Sequence, residues 1–201
     1  MLFSSQLFLY LFLPLFLLTY YLCPQRFRSA HMLLFSYVFY GWWRPDFLGL
    51  LIGVTVVSYY VAAAVEAAAV QNRKRWLAVG VTANLAALGY FKYANFGIDS
   101  LNALLTAAGF DAIGWTKIVL PIGLSFYIFQ AISYIIDVYR KTAPPARNLV
   151  DFAAFIALFP QLVAGPVLRY HDLAEQFYVR TYSWERFSRG CMIFMVGFCM
   201  K

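Results

Sequence analysis

Charged residues are what this sequence has least of. Asp, Glu, Lys and Arg together make up 12% of its 201 residues, about half the fraction that is usual in a soluble domain. Hydrophobic residues make up 63%, and the mean hydropathy is +0.67. This composition excludes an ordinary soluble domain and predicts an all-α membrane protein that crosses the bilayer several times. The net charge of +7 comes from basic residues in short segments between apolar runs, so it does not indicate nucleic-acid binding.

Cysteine and histidine are also scarce. The three cysteines, Cys23, Cys191 and Cys199, lie apart in apolar sequence without the spacing of a metal site, so we expect buried, inert thiols and no metal. Of the two histidines, His31 is expected at a membrane interface, and His171, which follows the Gly-Pro break, is a candidate general base. No nucleophile elbow and no phosphate-binding glycine loop is present. The residues alone therefore specify a membrane scaffold and no particular reaction.

Five apolar runs predict five membrane-spanning helices. They are residues 6–22 with a kink at Pro14, 32–43, which is short for a crossing, 47–65, 76–91 and 120–140, and the run from Cys191 would begin a further span. Residues 96–117 are less hydrophobic and are expected to form an amphipathic helix and loop at the membrane surface. A second amphipathic segment, 167–190, is expected on the cytoplasmic side. Residues 1–201 would form a single membrane domain.

The distribution of basic residues predicts the orientation of the chain. Eight lie in the segments 23–31, 66–75 and 138–148, and three lie in the opposite segments, at Arg44, Lys92 and Lys117. Because basic residues are enriched in cytoplasmic loops, we expect a multi-pass protein of the bacterial inner membrane with its N-terminus outside.

Residues 148–169 interrupt this regular pattern, because Pro160 lies in the middle of the apolar run and Gly165-Pro166 near its end. The basic residues that follow would lie outside if the run crossed the bilayer completely. A broken or re-entrant element is therefore favoured over the alternative, an ordinary span kinked at proline.

A polar stripe runs along residues 120–141. Tyr127, Gln130, Tyr134, Asp137 and Lys141 are spaced by three, four, three and four residues, which places them on one face of a helix. Polar groups are costly in hydrocarbon, so this face should be turned toward protein or toward a water-filled cavity. A helix–helix seam held by hydrogen bonds and the lining of a cavity both remain open at this point.

Three segments, 88–102, 120–140 and 148–170, resemble the membrane-bound O-acyltransferase family, and specifically its bacterial branch that O-acetylates exported polysaccharides. Residues 1–22 and 36–51 fit the same branch. The resemblance implies a bundle of helices around a tunnel through the membrane. In this tunnel a cytoplasmic acyl thioester would meet a histidine, and a hydroxyl acceptor would receive the acyl group on the far side.

The resemblance also implies where the functional residues lie. The catalytic histidine of the family falls beyond residue 201, and neither His31 nor His171 matches its motif, so the chain is expected to be an N-terminal half that is inactive alone. The remaining candidates form three groups. They are Tyr127, Gln130, Tyr134 and Asp137 lining or supporting the tunnel, Lys92 and Asn95 at its outer mouth, and Gln161 and Arg169 at its inner mouth. For each of them, packing or interfacial anchoring is the alternative interpretation.

The implied function is O-acetylation of an exported polysaccharide such as alginate. Acetyl coenzyme A or another acetyl thioester would be the co-substrate, and no cofactor would be bound. The expected partners are the lipid bilayer, periplasmic acetyl-transfer proteins and, indirectly, the polysaccharide, and no nucleic acid is expected. The alternatives are a relative that transfers D-alanine or that acylates peptidoglycan or cellulose, and a transporter or channel, against which the lack of an internal repeat weighs.

Overall fold

The computed structural model describes residues 5–42, 44–165, 169–178 and 183–200. Every regular element in these ranges is helical, which confirms the all-α prediction. A π-helical turn, Phe8–Phe12, leads into α1, Leu13–Leu22, and a 3-10 turn, Gln25–Phe27, leads into α2, Arg28–Gly41. The other helices are α3, Asp46–Ala67, α4, Val70–Ala107, α5, Leu124–Tyr139, α6, Leu149–Ala157, α7, Phe159–Ala164, α8, Tyr170–Tyr178, and α9, Trp184–Cys199.

The π-helical turn accommodates Pro14 in the first apolar run. Proline has no amide hydrogen and interrupts the regular helical bonding pattern. Immediately before it, the Leu13 N–H donates to the Phe8 carbonyl five residues earlier, which widens the helix by one residue. The predicted kink at Pro14 therefore takes the form of a wide turn within a continuous helical run.

One described helix, α3, is long and apolar enough to cross a bilayer by itself, while Phe8–Leu22 and α5 are apolar but shorter. The helix α2 has 14 residues, or about 21 Å at 1.5 Å per residue, against a hydrocarbon core of about 30 Å. Trp43, at the end of the second predicted span, lies outside the described residues. The number of spans therefore stays a prediction.

The helix α4 differs most from the expected layout. It is continuous over 38 residues, or about 57 Å, and contains the basic cluster Arg73-Lys74-Arg75, the predicted fourth span and the first part of segment 96–117. The predicted loop at 66–75 is reduced to the two residues between α3 and α4. Residues 92–95 form no loop and are part of α4. Hydropathy falls along 92–107, but the sequence there contains no proline and is rich in alanine and leucine, so the helix continues.

Two asparagines on one face of α4 hold the irregular segment 108–121 against the helix. The side-chain amide of Asn102 accepts from the Ile113 N–H at 2.8 Å and donates to the Ile113 carbonyl at 3.1 Å. Asn95 makes the same pair of bonds to Ile118, at 2.9 and 2.7 Å. Each amide thus pairs with one backbone residue, as a neighbouring strand would.

The helix α5 lies at the centre of the bundle, where it packs against α3, α4, α6, α7 and α8. Its closest approach to α4 occurs at Gly80, where a Cβ atom would lie 3.0 Å from Ile135 Cδ1 and 2.6 Å from Val61 Cγ1 of α3. A second, aromatic cluster joins α1, α2 and α7. It consists of Phe8, Phe12, Phe39 and Phe159, with Phe16 and Phe35 packed against it.

The predicted broken element is present. The helix α6 ends at Ala157, Leu158 leaves the helical conformation with ψ of 110°, and α7 begins at Phe159 with Pro160 in its first turn. With nine residues, α6 is about 13 Å long and cannot cross a bilayer alone. The chain leaves α7 in an extended conformation at Gly165, and Pro166 lies outside the described residues.

The C-terminal helices are the least covered part of the described molecule. The predicted segment 167–190 corresponds to α8 and the first turns of α9, apart from residues 167–168 and 179–182, which lie outside the described residues. No residue of α9 is buried. Cys191 and Cys199 are therefore exposed and Cys23 is half-buried, so the expectation of buried thiols is wrong for the two cysteines of α9.

Candidate functional site

The polar face of α5 is turned into the protein. Tyr127, Gln130, Tyr134 and Asp137 are only 0–8% exposed. Lys141, the fifth member of the stripe, lies beyond the helix, where it is exposed and has a left-handed backbone with φ of 59°. The contacts described below, to α6, α8 and the connection between α5 and α6, are those of a helix–helix seam.

Gln130 contributes to this seam by bonding the broken element. In a continuous helix, the Phe155 carbonyl would accept from the Phe159 N–H, but the break at Leu158 separates these two groups. Gln130 Nε2 donates to the Phe155 carbonyl at 3.3 Å, and Ser36 Oγ of α2 accepts from the Phe159 N–H at 3.2 Å. Each of these buried backbone groups would cost about 1–3 kcal/mol if it were left unpaired.

Tyr134 joins α5 to the next parts of the chain. Its hydroxyl accepts from the Ala146 N–H at 3.0 Å, just before α6. Its ring lies 4.3 Å from the Phe152 ring and 4.9 Å, edge to face, from the Tyr170 ring of α8. The residue is fully buried, so its hydroxyl and both ring contacts belong to the packed interior.

The structure brings Asp137 and His171 together, although they are 34 residues apart in the chain. Asp137 Oδ2 lies 3.6 Å from His171 Nδ1, and His171 Nε2 lies 2.9 Å from Asp172 Oδ1. Asp137 Oδ1 also accepts from the Thr142 hydroxyl at 3.4 Å. Both ring nitrogens of His171 face carboxylates, so the imidazole links α8 to the end of α5.

His31 also sits in a packed setting. Its Nε2 lies 2.8 Å from Thr19 Oγ1. The Thr19 hydroxyl donates to the Leu15 carbonyl at 2.6 Å, so the imidazole is the donor in the contact between them. The ring stacks on Phe35 at 4.5 Å. His31 therefore joins α1 to α2.

The candidate mouth residues lie in two places. On α4, Lys92 is exposed with its ammonium 5.5 Å from the centre of the Tyr93 ring, and Asn95 holds Ile118 as described above. Gln161 is buried in α7, and Arg169 is exposed immediately before α8. Lys92 and Arg169 are therefore exposed, Asn95 is bonded to the segment that follows α4, and Gln161 is buried.

Sequence reasoning missed Ser36. It is a single polar residue in an apolar run that was assigned by hydropathy alone, and its partner is a backbone N–H released by the break at Leu158. A lone small polar residue within an apolar run is a weak signal of such a role.

The whole of this chain aligns with part of several longer proteins that are named O-acetylases or O-acetyltransferases. The chain is 58% identical over 203 aligned residues to a probable alginate O-acetylase, AlgI, of Azotobacter vinelandii, and 55% identical to the protein of that name from Pseudomonas aeruginosa. It is 29% identical to a peptidoglycan O-acetyltransferase of Helicobacter pylori. All of this chain is covered in each case, but only 41%, 39% and 44% of the relatives. The chain thus spans about two fifths of their length. No family model and no solved structure matches it.

Proposed function

We propose that this chain is part of a membrane enzyme of the alginate O-acetylase family, which O-acetylates an exported polysaccharide such as alginate. The observation that carries the proposal is the identity of 58% to an alginate O-acetylase across the entire chain. The all-α fold agrees with the bundle of helices that the resemblance implies.

The proposed reaction transfers an acetyl group from a thioester to a hydroxyl. A general base accepts the hydroxyl proton, the oxygen forms an ester bond to the acetyl carbonyl, and the thiol leaves as the carbon–sulfur bond breaks. We assign the base to a residue outside this chain, because His31 and His171 are both engaged in contacts between helices. Residues 1–201 then supply the scaffold around the reacting groups.

The proposed co-substrate is acetyl coenzyme A or another acetyl thioester that enters from the cytoplasm. The end of α5 presents the exposed side chains of Arg140 and Lys141, and Arg169 is exposed before α8. Exposed cations favour the approach of a phosphate-bearing donor. In this proposal Tyr127, Gln130, Tyr134 and Asp137 support the wall of the passage from behind, through their contacts with α6 and α8.

The proposed location is the inner membrane, with several crossings and the N-terminus outside. Support comes from the length and hydropathy of α3 and from the excess of basic residues in alternate segments. Periplasmic acetyl-transfer proteins would then carry the group to the polymer. Peptidoglycan is the second candidate acceptor, because a peptidoglycan O-acetyltransferase is among the relatives.

Acetylation in the source bacterium tests the proposal. Deleting the gene should remove acetyl esters from the exported alginate, as measured by NMR of the purified polymer, and should leave those of peptidoglycan unchanged. Restoring the natural gene should return them, whereas residues 1–201 expressed alone should not, because the base is assigned elsewhere. Unchanged alginate acetylation after deletion would refute the proposed substrate.

A further inference from the structure

At the break between α6 and α7, two backbone groups that would bond to each other in a continuous helix bond instead to side chains of two other helices. The Phe155 carbonyl is held by Gln130 of α5, and the Phe159 N–H is held by Ser36 of α2. Phe155 and Phe159 are 0% and 3% exposed, and Ser36 and Gln130 are 0% and 3% exposed. Because all four residues are buried, each backbone group depends on its side-chain partner to remain paired.

Pro160 makes the break permanent. Its nitrogen carries no hydrogen, and its ring would collide with the Ile156 carbonyl in a continuous helix. In this structure the Phe155 carbonyl and the Phe159 N–H are bonded to Gln130 and Ser36 and not to each other. What the two side chains fix is the placement of α7 relative to α6.

The two flanks of the break belong to different hydrophobic clusters. Phe155 packs in the core around α5, with its ring 5.2 Å from the Tyr170 ring. The Phe159 ring lies 5.4 Å from Phe12 and 5.2 Å from Phe16, in the aromatic cluster of α1 and α2. Each flank keeps its own packing when a single hydrogen bond is removed, so the loss should loosen the junction without unfolding either side.

From this arrangement we propose that Gln130 and Ser36 are positioning residues for acetyl transfer, which hold the broken helix in the one geometry that the reaction uses. The inference rests on the proposed function. The junction sets the direction of α7, which packs against α2 and α5, so a loose junction shifts α7 relative to these helices and disturbs the wall of the proposed passage.

Four variants of the full-length natural protein test the proposal. Gln130→Met keeps the size of the side chain but loses the donor, and Ser36→Ala loses the acceptor. Ser36→Thr keeps the hydroxyl and is the conservative rescue, while Ile132→Leu, on the half-buried side of α5, is the matched control. Three quantities are measured: hydrogen exchange of a peptide covering residues 155–162, kcat and KM for transfer of labelled acetyl, and the melting temperature.

We expect Ser36→Ala to speed exchange at the Phe159 amide about tenfold, as one lost buried hydrogen bond implies. Both Ser36→Ala and Gln130→Met should lower kcat per folded molecule by about tenfold. Ser36→Thr keeps the acceptor and should exchange more slowly at the Phe159 amide than Ser36→Ala, and Ile132→Leu should stay within about twofold of the natural protein in both quantities.

Several results would overturn the inference. Unchanged exchange would show that the side chains do not hold the junction. Faster exchange with unchanged kcat would show that the junction does not position the reaction, and it would leave the proposed function standing. If activity falls only in proportion to the amount of folded protein, both residues stabilise the fold and do not position the reaction. If the natural protein transfers no acetyl, the proposed function and the positioning role fail together, and the exchange data then concern the junction alone.

Discussion

Tyr127 and Tyr134 occupy equivalent settings on α5 but differ at their hydroxyl groups. Both residues are fully buried. The Tyr134 hydroxyl accepts from the Ala146 N–H, whereas the Tyr127 hydroxyl lies beside the Tyr40 hydroxyl without a hydrogen bond of good geometry to any described residue. Burial of an unpaired hydroxyl is unfavourable. The Tyr134 hydroxyl therefore stabilises the fold, whereas the Tyr127 hydroxyl does not.

Replacing each tyrosine by phenylalanine should therefore give opposite results. Tyr127→Phe should leave the free energy of unfolding unchanged or raise it by up to about 1 kcal/mol, because no bond is lost. Tyr134→Phe should lower it by about 1–3 kcal/mol, because the Ala146 N–H is left buried and unpaired. Denaturant unfolding in detergent micelles measures both. Equal losses would show that Tyr127 has a partner after all, and a loss of acetyl transfer in Tyr127→Phe with unchanged stability would show that its hydroxyl meets the substrate.

At this scale the sequence predicts which residues share a face but not what they touch. The stripe Tyr127, Gln130, Tyr134 and Asp137 follows from a spacing of three and four residues, and burial of all four confirms the shared face. Their partners could not be predicted, because the Phe155 carbonyl and the Ala146 N–H are free only as a consequence of breaks elsewhere in the chain.

Among the elements, the ends of helices were predicted well where proline marks them and poorly where only hydropathy changes. Pro160 correctly indicated the break between α6 and α7. Hydropathy falls along α4 without any proline, and the helix continues to Ala107. Hydropathy indicates whether a segment lies in apolar or in aqueous surroundings, whereas the end of a helix depends on backbone hydrogen bonding and on helix breakers such as proline.

The close packing of α4 against α3 and α5 gives a prediction at the scale of the element. Gly80→Ala should destabilise the bundle by about 1–3 kcal/mol, because the new methyl group enters a filled space beside Val61 and Ile135. Gly89→Ala is the matched control in the same helix. Its Cβ would meet nothing within 4 Å, so the higher helix propensity of alanine should stabilise the protein by up to about 1 kcal/mol. Thermal unfolding of the two variants checks this difference, and a stable Gly80→Ala would contradict the packing.

For the whole molecule, the arrangement depends on α5 as the central helix, with the broken element closing over its polar face. Composition predicted the helical class, and the resemblance predicted the family. Neither composition nor the resemblance predicted which helices pack against the polar face of α5. The same spacing of polar residues would also suit a helix that faces a water-filled passage. The structure instead fills that side with α6, α8 and the junction at Leu158.

The central claim is that protein, and not water, covers the polar face of α5. Single cysteines at Gln130, Tyr134, Phe129 and Arg140, in a background with the three native cysteines replaced by serine, test it by thiol labelling in native membranes. A charged, water-soluble reagent requires an accessible thiolate. It should modify position 140 rapidly and leave 130 and 134 unmodified until the protein is denatured, while a lipid-soluble maleimide should reach position 129, which is 49% exposed. Rapid labelling of 130 or 134 by the charged reagent would reveal a water-filled passage along α5 and contradict the account.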